Sequence, residues 1–216
     1  MIDQKLEGPN LAALVASKIC HDIFSPITGV VPGLDMLKES DVAKKEPDAL
    51  GLIDDGVQKV WAKLDFYRFA IGGAVTEGEG SLEDARAILE KLYRHVKAEL
   101  QWSAPAISAP HAAVRVIANL VYIAGDCLPR GGTVEVTAAP GEVRITGTGR
   151  VSIKKEVAGG LRGEPPEGGH QGAFTLPLLA HIFATRAGLA IELKETPEKV
   201  ELFARSAQIG RTSAAA

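Results

Sequence analysis

Two long runs of apolar residues at helical spacing, separated by a short polar break, constrain the fold of this chain most. In the first, Val15, Ile19, Ile23, Ile27, Val30, Leu34 and Leu37 recur at steps of four, four, four, three, four and three. At about 100° per residue they fall on one face of a helix covering residues 11–39, with Asn10 as a candidate N-cap. In the second, Leu50, Ile53, Val57, Val60, Leu64, Tyr67 and Ile71 step alternately by three and four, a heptad seam. Ser40–Glu46 reads as a polar turn, Pro47 suits the first turn of the second helix, and Gly72-Gly73 ends it. A short turn between two long helices makes an antiparallel hairpin. Two helices alone cannot cover stripes this wide. Each of Ile19, Ile27, Leu34, Val57 and Leu64 left wet forfeits roughly 1.5–3 kcal/mol. Pairing two hairpins about a two-fold axis closes a four-helix bundle, so a homodimer is expected. The alternative is that the hairpin packs on the rest of its own chain.

Pro26 sits inside the first helix and bends it, and Pro32 and Gly33 weaken it again. His21 lies roughly 180° from the centre of the stripe and is expected to face water halfway along the helix. Its neighbours on that outer face are Leu14, Ser17, Ser25 and Thr28, with Lys18 and Phe24 at the rim. An imidazole titrates near neutrality as a class, so a neutral ring nitrogen is available as a nucleophile. Asp22 could hydrogen-bond the other ring nitrogen or act as a base; the plainer alternative is a solvated helix charge. An exposed leucine and phenylalanine flanking an exposed histidine point to a protein partner, so Leu14, Ser17, Phe24 and Thr28 are the expected docking surface.

Residues 74–80 read as a linker between a hairpin domain (1–73) and a second domain (81–205), with 206–216 a disordered tail. Ser81 and Asp84 form a capping box for a helix over 82–95. A strand follows near 97–103, then a helix over 110–127 with Val114, Ile117, Val121 and Ala124 on one face. Thr133–Ala138 and Val143–Thr146 form a hairpin across Pro140-Gly141. Residues 158–172 read as a mobile loop, 174–187 as a helix ended by Gly188, and Leu189–Leu193 with Val200–Phe203 as a closing hairpin. The second domain is thus a sheet covered by helices on one side.

With a net charge of −3, the chain carries no electrostatic footprint for nucleic acid. Cys20 and Cys127 lack disulfide-framework or metal-ligand spacing and read as buried, reduced thiols in apolar helices. No signal peptide and no window of about 18 uninterrupted apolar residues is visible. A soluble cytoplasmic protein without a membrane partner is the expectation.

His21-Asp22-Ile23-Phe24-Ser25-Pro26 resembles the phosphoacceptor box of sensor histidine kinases, in which an acid follows the histidine and a proline stands five positions after it. The hairpin is similar to the dimerisation and histidine-phosphotransfer domain of those proteins. The second domain looks like their ATP-binding α/β sandwich in degenerate form. Residues 119–124 (Asn-Leu-Val-Tyr-Ile-Ala) stand where the kinases carry an asparagine box, with Ile123 at the magnesium-ligand position. Residues 145–149 (Ile-Thr-Gly-Thr-Gly) resemble the adenine box, with Ile145 in place of its aspartate. The two glycines, Gly147 and Gly149, read as a turn. In place of the glycine-rich phosphate box stands Phe174-Thr-Leu-Pro-Leu-Leu. Isoleucine offers neither a hard oxygen ligand nor a backbone that can approach phosphate.

A phosphotransfer hairpin joined to such a domain resembles the ChpT-type histidine phosphotransferases of alphaproteobacteria, over nearly the whole chain. The resemblance implies a dimeric cytoplasmic phosphotransferase without ATP-dependent kinase activity. It would take a phosphoryl group from the receiver domain of a hybrid kinase onto His21. It would pass the group to receiver domains of response regulators that control the cell cycle. This chain would bind no cofactor; the receiver would bring Mg²⁺ and a lysine. Ser25, one turn beyond His21, could hold a phosphate oxygen or position a water, and Lys18, one turn before, could attract the acidic phosphorylated pocket. The rivals are an autophosphorylating histidine kinase, which needs a working nucleotide site, and a non-catalytic dimeric scaffold or anti-activator, which would not need His21.

Overall fold

In the computed structural model, which describes residues 9–38, 42–72, 78–164, 172–207 and 209, the two helical runs form α1 (Pro9–Lys38) and α2 (Val42–Ala70). Pro26 and Pro32 both lie inside α1. Helix α2 starts inside the polar turn expected at Ser40–Glu46; from Val42 onward that stretch is helical and Pro47 is internal, while Ser40 and Asp41 lie outside the described residues.

The seam between the two helices runs through small residues. Gly33 faces Ala49, Leu52 and Ile53, and a Cβ there would stand 2.7 Å from the Ala49 carbonyl oxygen. Gly56 faces Val30 and the Pro26 carbonyl just as closely. Glycine at both crossings lets the backbones approach, which is the reason for a residue otherwise unfavourable in a helix. The broad apolar face of α1 is consequently shared three ways. Val15 and Ile19 pack against the core that α2 and the second domain share, Val30 fills the hairpin seam, and Ile27 and Leu34 stay open. Phe24, Ile27, Val31 and Leu34 form one exposed stripe on α1, and Leu50, Val57, Trp61 and Leu64 another on α2. Among the described residues, every exposed large apolar side chain belongs to these two helices. From Asn10 to Lys38, α1 is long and apolar enough on average to cross a membrane by composition alone, but this surface is divided among α2, the second domain and the open stripe.

The second domain begins with β1 (Glu79–Ser81) and α3 (Leu82–Tyr93), which the Ser81–Asp84 capping box initiates as expected. Then come β2 (Ala98–Trp102), β3 (Ser108–Pro110), α4 (His111–Asp126), β4 (Gly132–Ala139), β5 (Glu142–Gly149), α5 (Lys155–Arg162), α6 (Gly172–Arg186), β6 (Ala190–Thr196) and β7 (Lys199–Arg205). The main sheet has the order β2-β4-β5-β7-β6, with β2 parallel to β4 and the other neighbours antiparallel. β1 and β3 form a separate antiparallel pair. Helices α3, α4 and α6 cover the sheet on the side of Val134, Val136, Ile145, Val200 and Leu202. Phe203 faces the other way, under Arg144, Lys194 and Arg205, whose cationic groups stand 4.7–5.1 Å from its ring centre.

Four expectations change here. Cys20, expected to be buried, is exposed on α1, whereas Cys127 is buried. The mobile loop expected over 158–172 contains most of α5, whose two internal glycines hid its helical pattern; residues 165–171 lie outside the description. Two residues of the expected linker, Glu79 and Gly80, belong to strand β1. The tail expected from residue 206 is anchored at its start. Ile209 is buried and its carbonyl accepts a hydrogen bond from the Gly141 N–H at 3.1 Å.

The hairpin and the second domain share a continuous core. Leu11 and Leu14 lie against Phe174, Leu178 and Ile182 of α6. Phe66 of α2 is fully buried and stacks on Tyr122 of α4, with ring centres 4.7 Å apart and planes 17° from parallel. Phe66→Ala is expected to lower stability by about 3–5 kcal/mol, since it removes a buried ring at a site where two rigid elements cannot collapse into the void. Urea unfolding followed by circular dichroism measures the loss.

Candidate functional site

His21 stands midway along α1 with 83% of its side chain exposed. Asp22, about 100° further round the helix, points into the seam between α1, α2 and α4 and is only 5% exposed. Its Oδ1 lies 3.0 Å from His21 Nδ1. Its Oδ2 accepts hydrogen bonds from Lys18 Nζ at 2.8 Å, from the Tyr122 hydroxyl at 3.1 Å and from the Tyr67 hydroxyl, with Lys63 Nζ 3.8 Å away. Asp22 is therefore not the solvated helix charge that was the plainer alternative.

Burial by itself would raise the pKa of Asp22, but the Lys18 charge and the converging donors outweigh it and hold the carboxyl well below the usual range. The two tyrosines are pushed the opposite way. Burial, reinforced by the Asp22 charge, raises both hydroxyls far above their ordinary value, so they remain donors. An ionised carboxylate can only accept, so the hydrogen in the His21–Asp22 contact belongs to Nδ1. That leaves the Nε2 lone pair free. Asp126, one turn beyond Tyr122, reaches solvent, yet the dense protein around it removes enough water to raise its carboxyl pKa, helped by Asp22 nearby.

The other expected site residues divide. Ser17, Ser25, Phe24 and Thr28 are exposed on the same length of helix as His21, and the Thr28 hydroxyl donates to the Ser25 carbonyl at 2.6 Å. Phe24, however, continues the open stripe of Ile27, Val31 and Leu34. Leu14 is not on a free docking surface: it is half-buried against α6. Lys18 is not a rim lysine awaiting a partner. Its side chain is 11% exposed, paired with Asp22 and held 5.7 Å from the centre of the Tyr122 ring. Both departures arise because the second domain lies against the N-terminal half of α1. Sequence reasoning missed Tyr67, Tyr122 and Lys63. In sequence Tyr67 reads as a core position and Tyr122 as part of the asparagine box; the available signal is that a buried tyrosine needs a partner for its hydroxyl.

Beside this cluster lies a cavity of about 300 Å³, lined by Lys18, Ile123, Asp126, Lys154, Val157 and Pro177 among others. Ile123 is buried there, and Ile145 is fully buried in β5. Asn119 donates to the carbonyls of Ala70 at 3.2 Å and Arg115 at 2.9 Å, a structural use that ties α4 to the end of α2. Gly147 and Gly149 do not form the expected turn; both lie in β5, and a Cβ on Gly147 would stand 2.7 Å from Val200 Cγ1. Phe174, Leu176 and Leu178 are buried along α6, so the stretch standing at the phosphate-box position is helix and core. Among the described residues no group of His, Cys, Asp or Glu is arranged to hold a metal ion.

Asp22→Asn is expected to cost about 2–3 kcal/mol at neutral pH, the worth of hydrogen bonds to a charged group. Because the folded-state pKa lies below the ordinary value of 3.8, the unfolded chain takes up the proton first as pH falls. The contribution is complete above about pH 5 and fades as pH drops below 4 toward the folded value. Urea titrations between pH 7 and pH 3 should show the gap between wild type and variant narrowing at the acid end.

Residues 82–199, more than half of the chain, match the family model described as the histidine phosphotransferase C-terminal domain. The protein phosphotransferase ChpT of Brucella abortus (strain 2308) is 29% identical over 204 residues, covering 90% of this chain and 95% of the relative. A solved structure of a bacterial phosphotransferase superposes with a TM-score of 0.83 at 28% identity, over 95% of this chain and all of that one. With its hairpin and its helix-covered sheet arranged as they are, the chain belongs to the histidine phosphotransferase family.

Proposed function

We propose that this protein is a histidine phosphotransferase of a multistep phosphorelay and that His21 carries the phosphoryl group. The observation that carries this reading is the His21–Asp22 pair, an exposed imidazole whose Nδ1–H is held by a buried carboxylate. In the proposed step the His21 Nε2 lone pair attacks the phosphorus of an aspartyl phosphate in line. The N–P bond forms as the P–O bond to the acyl oxygen breaks, and the electron pair leaves on the receiver's carboxylate. The ring keeps its Nδ1 hydrogen and becomes a phosphoimidazolium, whose positive charge the Asp22 carboxylate offsets. Reversal of the same step onto a second receiver completes the relay. The donor is the receiver of a hybrid kinase and the acceptors are receivers of response regulators; each supplies its own Mg²⁺, and this chain binds no cofactor. Ser17, Ser25 and Thr28 lie on the surface a receiver would cover, and such relay contacts are small, near or below about 1,200 Å².

The reading includes a soluble cytoplasmic homodimer. The open stripes of α1 and α2 are the surface a second hairpin would cover to complete a four-helix bundle, and Phe24 then belongs to that bundle as much as to docking. Autophosphorylation from ATP is not part of the proposal, because Ile123 and Ile145 offer no ligand to magnesium or adenine.

Incubation with a ³²P-labelled receiver should label wild type and leave His21→Ala unlabelled, while incubation with ATP alone labels neither. The bound phosphate should be acid-labile and base-stable, as a nitrogen–phosphorus bond is. His21 is exposed, so the substitution should change stability by no more than about 0.5 kcal/mol. A folded His21→Ala protein that still takes label would overturn the assignment and favour the scaffold reading.

Leu64→Asp sets a charge in the centre of the proposed bundle, where it has no partner and costs several kcal/mol. Light scattering is expected to give a dimer for wild type and monomer or aggregate for the variant. A monomeric wild type sinks the bundle.

A further inference from the structure

We propose that Tyr122 and Tyr67 are positioning residues of the phosphoacceptor: through Asp22 they hold His21 in the tautomer whose Nε2 is free to attack. The inference rests on the relay reading of His21 and goes beyond it, because Tyr122 belongs to the second domain, 100 residues away from Asp22 in sequence.

The argument is one of occupancy. A carboxylate has two oxygens, and either can face a given donor if the group is free to turn. Here Lys18, Tyr67 and Tyr122 all donate to Oδ2, and Oδ1 is left to His21 Nδ1. Three donors from three helices fix the carboxylate plane and leave one oxygen aimed at the ring. Both hydroxyls are themselves held. Phe66 stacks on Tyr122 and meets Tyr67 edge-on at 5.6 Å between ring centres. The charged and titratable groups that face Asp22 are Lys18 and His21 from α1, Lys63 and Tyr67 from α2, and Tyr122 and Asp126 from α4.

An imidazole free in water favours the other tautomer, with the hydrogen on Nε2 and no lone pair there. An aspartate loosened by loss of its hydroxyl partners accepts water on Oδ1 and competes less well for the Nδ1 hydrogen. The second domain, with Ile123 and Ile145 where nucleotide ligands would stand, thereby keeps a place in the reaction. It contributes one of the donors that set the nucleophile.

Tyrosine to phenylalanine removes only the hydroxyl and keeps the ring stack on Phe66, so Tyr122→Phe and the Tyr67→Phe/Tyr122→Phe pair should fold. Thermal unfolding checks this, and Tyr93→Phe serves as control, since that hydroxyl donates to the Val121 carbonyl at 2.6 Å and not to Asp22. Two readouts are made on the full-length protein. Long-range ¹⁵N–¹H correlation spectra at alkaline pH report which ring nitrogen of His21 carries the hydrogen. Rapid-quench transfer from a labelled receiver gives the maximal rate and the half-saturating receiver concentration separately.

Wild type and Tyr93→Phe should show the hydrogen on Nδ1. The double variant should shift toward Nε2–H and transfer at least about tenfold more slowly at saturating receiver with unchanged half-saturation, the scale on which partners of a reacting ligand act. Wild type already in the Nε2–H form, or a folded double variant with unchanged tautomer and rate, overturns the proposal. Wild type that takes no label overturns the relay reading instead, and the tautomer spectra then decide the positioning claim alone.

Discussion

Asp22 can lie buried as a carboxylate only because three helices deliver donors to it. A buried charge without partners costs far more than any one contact returns, and in practice such a group takes up a proton instead. Lys18, Tyr67 and Tyr122 prevent that. Their convergence requires α1, α2 and α4 to keep their relative positions, so the carboxylate depends on the tertiary structure as much as the site depends on the carboxylate. The Phe66–Tyr122 stack and the packing of Leu11 and Leu14 on α6 supply the non-polar part of the same constraint. The stack holds the tyrosine whose hydroxyl completes the polar part.

The division of the α1 surface follows from geometry. A helix presents roughly 3.6 residues per turn, and a face wide enough to meet two neighbours always leaves a third sector. In α1 the N-terminal half meets the second domain and the seam with α2 closes over Gly33 and Gly56, so the third sector is the stripe from Phe24 to Leu34. Lys18 and Leu14, which a lone helix would present to a partner, are taken up by the second domain.

How far the residues themselves disclose this varies with the kind of physics involved. The helices and hairpins were legible because periodicity, the Ser81–Asp84 box and the Pro140-Gly141 turn are local signals. His21 was legible as exposed because one helix rotation decides it. The roles of Lys18 and Asp22 were not, since whether a charge on a helix is wet depends on what lies against that helix, and the contact with Tyr122 spans 100 residues. Helix α5 was obscured by its own composition, Gly159 and Gly160 lowering its apparent propensity while Gly160 packs under Pro177. Gly147 looked like a turn residue because glycine in isolation does; only β7 alongside shows that Val200 claims the space.

The charged outer face of the sheet has a consequence for association. Phe203 lies under three cations, and the edge strand β6 carries Glu192 and Lys194, so this side offers neither a dry patch nor an inviting edge. Among the described residues, the large exposed apolar side chains all lie on the hairpin. A molecule with a single adhesive region has a valence of one. Whatever settles on that region, growth through it stops after one step, and the described residues offer no second apolar patch from which a filament could propagate.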